Sequence, residues 1–109
     1  MKVGIILYSG DSEVVWNAFR FGNFVLAMGD ESRIFLIGEG VACAEYESLD
    51  TEKFKVTEQL ETFVSTGGKI SACGTCLEIH QLKAPDTFTV ASLRDMYEIV
   101  KESDKIITL

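Results

Sequence analysis

The chain has 109 residues, 47% of them hydrophobic, and a net charge of -7 at neutral pH. This length supports one hydrophobic core and is too short for two, so we expect a single α/β domain over residues 1–109. The acidic balance, with ten basic residues and no cluster of them, argues against nucleic acid and anionic membranes as partners.

Short apolar segments alternate with longer segments of helical pattern, which is typical of βα units around a mostly parallel sheet. We predict strands at 2–8, 33–38, 69–72, 87–91 and 105–109. Helices are predicted at 12–28, about 40–47, 53–66, 74–81 and 92–103. Because most strands are continuously apolar, helices are expected to cover both faces of this five-stranded sheet.

The amino-terminal segment, MKVGIILYSGDSE, has a turn where a signal peptide would have its cleavage region, and no apolar run is long enough to cross a membrane. We therefore expect a cytoplasmic protein. In that compartment the three cysteines, Cys43, Cys73 and Cys76, are expected to stay reduced.

The first predicted helix, residues 12–28, has more apolar surface than one sheet face can bury. Its polar positions recur every three to four residues: Glu13, Asn17, Arg20 and Asn23. Asp11 is predicted to cap this helix, since Asp11 and Glu13 would repel an anion bound at its amino terminus. The excess apolar surface predicts a homo-oligomer in which a second subunit covers the helix.

In parallel sheets, reactive groups gather at the carboxyl ends of the strands, in the loops that lead to helices. Three loops of this chain qualify: SGDSE, GEGVACAE and ACGTC. The last holds Cys73 and Cys76 where a predicted strand meets a predicted helix, and the only histidine, His80, follows. On a helix these three residues share one face.

The placement of Cys73 and Cys76 at the start of a helix favours the thiolate over the thiol. We expect both to be exposed and more reactive than Cys43, which is predicted to be a small buried residue early in its own helix. On spacing alone, four interpretations of the pair stay open. They are two buried thiols at a crowded junction, a dithiol redox centre, a zinc site with His80 and Cys43, and a sulfur-transferring nucleophile.

The segment CGTCLEIHQL, followed by DMYEIVKESDKIITL, resembles the DsrE-like family of small sulfur-relay proteins, especially the DsrE-type C-terminal domain of the YedF selenium-metabolism proteins. The segment LYSGDSEVVWNAFRFGNFVLAMGDESRIFLIGEGV is similar to the first βαβ unit of that family. The resemblance covers nearly the whole chain and implies a three-layer α/β/α sandwich that assembles into trimers or hexamers. Where many members have Arg-Gly, this chain has His80 and Gln81.

The resemblance also implies a sulfur carrier of the sulfurtransferase type, in which a cysteine holds sulfane sulfur as a persulfide. The family pattern falls on Cys73 for this role, and Cys76 would release the sulfur by forming a disulfide. The amides of Gly74 and Thr75 and the side chain of His80 are predicted to support the anion. Sulfur donor and acceptor proteins are the expected partners, and no cofactor or metal is predicted. The alternative is a non-catalytic oligomeric binding or regulatory module with the same fold.

Overall fold

The computed structural model describes residues 1–109 as five strands, four α-helices and one 3-10 helix. The strands are β1 Lys2–Leu7, β2 Glu31–Leu36, β3 Lys69–Cys73, β4 Thr89–Ala91 and β5 Lys105–Thr108. The α-helices are α1 Ser12–Ala27, α2 Val56–Ser65, α3 Gly74–Ile79 and α4 Leu93–Glu102. Every predicted element is therefore present, close to its predicted bounds.

The segment predicted as a helix at about 40–47 is a 3-10 helix, Gly38–Leu49, with a break at Glu45. Two glycines near its start lower the helix propensity, and Ile37 offers no capping side chain. These features explain why a regular α-helix does not form here.

The five strands form one sheet in the order β4-β3-β2-β1-β5, and every neighbouring pair is parallel. The prediction of a mostly parallel sheet with helices on both faces is confirmed. The arrangement is a three-layer α/β/α sandwich.

The two faces of the sheet bury very different numbers of side chains. On one face, α1, α2 and the 3-10 helix pack over alternate residues of β1, β2 and β3 and form a cluster of 19 buried residues, the large cluster. On the other face, α4 contributes Ile99 to a cluster of five buried residues, the small cluster: Ile6, Phe35, Cys73, Ala91 and Ile99. The alternation of side chains along each strand assigns them to these two faces.

Helix α1 begins at the predicted cap, Asp11. The Asp11 carboxylate accepts hydrogen bonds from the backbone N–H of Glu13 at 3.1 Å and of Val14 at 3.2 Å. Its apolar surface is not fully covered, because Phe24 and Met28 remain 62% and 66% exposed. Neither α1 nor any other helix of the structure combines the length and the apolar character needed to cross a membrane.

Candidate functional site

The three predicted loops meet at the carboxyl edge of the sheet. The first two loops are in direct contact through glycines: a Cβ on Gly10 would lie 2.8 Å from the Glu39 carbonyl oxygen, and a Cβ on Gly40 would overlap the carbonyl oxygen of Leu7. Only glycine allows the two backbones to approach so closely. The third loop joins them through a hydrogen bond to Cys76.

Cys73 is the last residue of β3 and the N-cap residue of α3. Its side chain lies in the small cluster and is only 5% exposed, so the expectation that it is exposed is wrong. Strand β3 runs one residue beyond the predicted end at position 72, and it pairs Cys73 with Ala91 of β4. As a strand residue, Cys73 follows the alternation of the sheet and points under α4.

Cys76 lies in the first turn of α3 and is partly exposed. It packs against both the large and the small cluster, at the boundary between the two faces. The backbone N–H of Gly38, at the start of the second loop, donates a hydrogen bond of 3.2 Å to the Cys76 Sγ. Of the two paired cysteines, this is the one that solvent reaches.

Burial raises the pKa of the Cys76 thiol above its ordinary value, and the neighbouring Cys73 thiol raises the pKa further, while the Gly38 hydrogen bond lowers it. The prediction that the start of a helix favours the thiolate is therefore wrong for Cys76. Helix α3 has only six residues, so few aligned peptide dipoles act on the sulfur. Loss of solvation outweighs them.

The predicted supporting residues surround the pair without touching it through their side chains. His80 ends α3, is exposed, and its ring makes no hydrogen bond or ion pair; its backbone N–H donates to the Cys76 carbonyl oxygen at 3.0 Å. Thr75 is exposed and Gly74 half-buried, and no side chain caps the helix that they begin. Their roles as amide donors stay predictions.

Gln81, which stands where many family members have glycine, is the only non-glycine residue with a positive φ, at 56°. Two hydrogen bonds define the end of α3: the Leu82 N–H donates to the Leu77 carbonyl at 2.9 Å, and the Gln81 N–H to that of Glu78 at 3.1 Å. This is the Schellman arrangement, which normally uses glycine at this position. This chain forms the arrangement with glutamine, a residue for which a positive φ is strained.

Cys43 lies apart from the pair, fully buried in the large cluster, as predicted. Burial raises the pKa of its thiol to about 12. The structure has no group of three or more His, Cys, Asp or Glu side chains placed to hold a metal ion. The zinc interpretation therefore receives no support from the geometry.

Tyr8 is a site residue that the sequence patterns missed, because it reads as the last residue of an apolar strand. Its ring lies against Gly38: a Cβ there would overlap the ring, and Gly38 has a φ of 59°. The Tyr8 backbone N–H donates to the Leu109 carbonyl at 2.7 Å, which fixes the residue at the sheet edge. A glycine directly after a strand was the only available signal for this contact.

Fold and site together define a class: a small α/β/α sandwich with two cysteines where a central strand of a parallel sheet meets its helix. The model of the DsrE/DsrF-like family matches residues 1–109, and the chain belongs to this family. The resemblance seen in the sequence is thereby confirmed.

Two archaeal relatives cover most of the chain. The chain is 33% identical to the uncharacterized protein MJ0989 of Methanocaldococcus jannaschii over an alignment of 113 positions, which covers 99% of each chain. It is 33% identical to the uncharacterized protein MK0008 of Methanopyrus kandleri over 98 residues, which covers 87% of this chain and 81% of the relative. The crystal structure of the YchN protein from Escherichia coli matches with a TM-score of 0.84 over the full length of both chains, at 20% identity. This last likeness bears on the fold alone.

Proposed function

We propose that this protein is a sulfur carrier of the sulfurtransferase type, which accepts sulfane sulfur on a cysteine as a persulfide and passes it to a partner. The observation that carries this proposal is the pair Cys73 and Cys76 at the carboxyl edge of a parallel sheet, with one sulfur partly exposed and hydrogen-bonded to a backbone amide. Membership of the DsrE/DsrF-like family supports it.

Transfer between proteins suits the surroundings of the pair better than the binding of a small molecule. Five clefts on the surface are lined by residues that include neither Cys73 nor Cys76. We infer that a protein donor or acceptor presents its own sulfur to the sheet edge. The net charge of -7 favours partners with a basic surface, and the cytoplasm keeps the thiols reduced between cycles.

We further propose that the protein forms a homo-oligomer, a trimer or a hexamer, through α1. Three large apolar side chains are exposed on this helix and its C-cap residue, Phe21, Phe24 and Met28, and they are 41%, 62% and 66% exposed. A stripe of this kind on a surface helix favours burial against a second subunit. Light scattering at micromolar concentration tests it, and a monomer would contradict it.

The alternative function is a non-catalytic oligomeric binding or regulatory module. The raised pKa of Cys76 and the burial of Cys73 favour it, because both reduce thiol reactivity at neutral pH. The exposed apolar stripe on α1 is compatible with either function.

Mass spectrometry of the protein incubated with inorganic polysulfide separates the two functions. A carrier gains mass in steps of about 32 Da on one of the paired cysteines, and the double variant Cys73→Ser/Cys76→Ser gains none. Cys43→Ala is the matched control, since it removes a buried thiol outside the site, and it should load like the wild type. No gain by the wild type, or an equal gain by the double variant, would support the binding module instead.

A further inference from the structure

The two paired cysteines differ in what can reach them. Cys73 is 5% exposed and packs with Phe35 of β2 and with Ile99 of α4. Cys76 is partly exposed, in the first turn of α3. Attack on a donor persulfide requires the attacking sulfur to approach the sulfane sulfur directly, so access decides which thiol reacts first.

Cys76 is also the cysteine with a hydrogen-bond donor aimed at its sulfur. The Gly38 N–H lies 3.2 Å from the Cys76 Sγ, and it belongs to a different strand end from the cysteine itself. A backbone amide donating to sulfur stabilises the anion more than the neutral thiol. The Gly38 hydrogen bond therefore favours the charged forms of Cys76, both the thiolate and the persulfide anion.

The Gly38 amide is held in position by Tyr8. The Tyr8 ring packs on the face of Gly38, whose left-handed backbone directs its N–H toward α3. The Tyr8 backbone is tied in turn to Leu109, beyond the end of β5. With 61% of its surface exposed, Tyr8 lies outside both buried clusters, and its ring lies against the turn at Gly38.

We propose that Cys76, and not Cys73, is the first acceptor of sulfur, and that Tyr8 is a positioning residue that holds the Gly38 amide against the Cys76 sulfur. This inference rests on the proposed carrier function. It reverses the roles that the family resemblance implies for the two cysteines, because the buried Cys73 then acts second.

The proposed reaction uses a persulfide as the sulfur donor, a thiol as the acceptor, and a dithiol as the reductant of any disulfide that forms. The Cys76 thiolate attacks the terminal sulfur of a donor persulfide anion. A Cys76–sulfur bond forms and the donor's sulfur–sulfur bond breaks. A proton from solvent then converts the donor's thiolate into a thiol. The product is Cys76 persulfide anion.

Release from this persulfide takes one of two routes. An acceptor thiolate takes the terminal sulfur and restores the Cys76 thiolate. Alternatively, the Cys73 thiol loses its proton and attacks the Cys76 Sγ; a Cys73–Cys76 disulfide forms, the Cys76 sulfur–sulfur bond to the terminal sulfur breaks, and that sulfur leaves with the proton as HS⁻. The disulfide is then reduced by the dithiol.

The first experiment compares two single variants under the same polysulfide. Cys73→Ser should still gain about 32 Da, on Cys76, and Cys76→Ser should remain almost unmodified. The opposite pattern would overturn this inference while leaving the carrier function intact. Loading of neither variant and no loading of the wild type would instead contradict the carrier function itself.

The second experiment measures the alkylation of each cysteine by iodoacetamide as a function of pH, read by peptide mapping. Cys73 is the only titratable group that shifts the pKa of Cys76, so the Cys73→Ser background gives a clean profile. In that background, Tyr8→Ala should move the Cys76 profile to higher pH by about one unit, which slows alkylation about tenfold at pH 7. Tyr8→Phe, which keeps the ring, should restore most of the rate.

Tyr97→Ala is the matched control, since Tyr97 is as exposed as Tyr8, at 62%, and lies on α4 and not against Gly38. It should leave the Cys76 profile unchanged. An unchanged profile in Tyr8→Ala would overturn the positioning role. The wild-type protein provides a test without any of these substitutions: alkylation of Cys73 before Cys76 would overturn the assignment of the first acceptor.

Discussion

The two faces of the sheet differ in how deeply they are buried, and the three cysteines are distributed accordingly. The face under α1, α2 and the 3-10 helix holds the large cluster and Cys43, whereas the face under α4 holds the small cluster and Cys73. Cys76 lies at the boundary between them and is partly exposed. A thiol deep in the large cluster is protected from chemistry, and a thiol at the boundary is available for it.

Stability and reactivity are thus separated within one small domain. The large cluster supplies most of the buried apolar contacts, so the other face needs fewer buried residues. Helix α4 itself presents exposed apolar residues, with Leu93 at 65% and Tyr97 at 62%. A thin and partly apolar face next to the paired cysteines is where we expect the molecule to move most easily.

The largest expected effect on stability comes from replacing one buried phenylalanine in each cluster by alanine. Phe63 in the large cluster and Phe35 in the small one are both fully buried, which makes them a matched pair. Phe63→Ala should lower the free energy of unfolding by about 4 to 5 kcal/mol, and Phe35→Ala by about 3, because α4 alone can shift to fill part of the cavity. Urea denaturation followed by circular dichroism gives both values.

An equal or larger decrease in the free energy of unfolding for Phe35→Ala would contradict the proposed difference between the two faces. If that cost also grew with protein concentration, a second subunit would be covering α4. The oligomer would then use α4 rather than α1.

The next effect is a loss of stability at alkaline pH that originates in Cys43. Burial raises the pKa of Cys43 from 9.0 to about 12, so the folded state holds this proton more tightly than the unfolded state. The resulting stabilisation is complete below pH 9 and is lost as the pH rises through 12, a decrease of up to about 4 kcal/mol.

The variant Cys43→Ala tests this assignment. It should be somewhat less stable than the wild type at neutral pH, and its free energy of unfolding should fall less steeply between pH 9 and 12. Parallel stability curves for the two proteins, from urea titrations across that range, would show that Cys43 is solvated and would weaken the contrast between the cysteines.

The smallest effect is expected at the end of α3, at the boundary between the faces. Gln81→Gly should raise the free energy of unfolding by about 0.5 to 1 kcal/mol, because glycine adopts a positive φ without the strain of a side chain. Thermal denaturation should show a small rise in Tm. A decrease would mean that the Gln81 side chain makes a stabilising contact in solution, for example with another subunit.

Much of the architecture could be predicted from local patterns. Continuously apolar strands, helical periodicity and the cap at Asp11 each depend on neighbouring residues, and they led to the correct elements and the parallel sheet. The family resemblance added the three-layer fold. A helix was predicted at about 40–47, but its 3-10 form, Gly38–Leu49, could not be predicted, because it depends in part on how Gly40 packs against Leu7.

The candidate site was located correctly in outline and wrongly in detail. Paired cysteines after an apolar strand were enough to identify the loop. The prediction that Cys73 is exposed was wrong because β3 includes Cys73, one residue beyond the predicted end of the strand. A residue inside a strand has its side chain assigned to one face of the sheet by the alternation along that strand. The contact between Tyr8 and Gly38 joins the ends of two strands, and no spacing in the sequence encodes it.

The sequence by itself therefore determined the elements, their order, and the three loops that would gather at one edge of the sheet, because periodicity, glycine placement and parallel pairing are local or topological properties. Only the tertiary structure decided which thiol is buried, which is partly exposed, and which amide reaches the Cys76 sulfur. Those properties depend on how α3 packs against β3 and the 3-10 helix and on how α4 covers Cys73, and packing is a property of residues far apart in the chain.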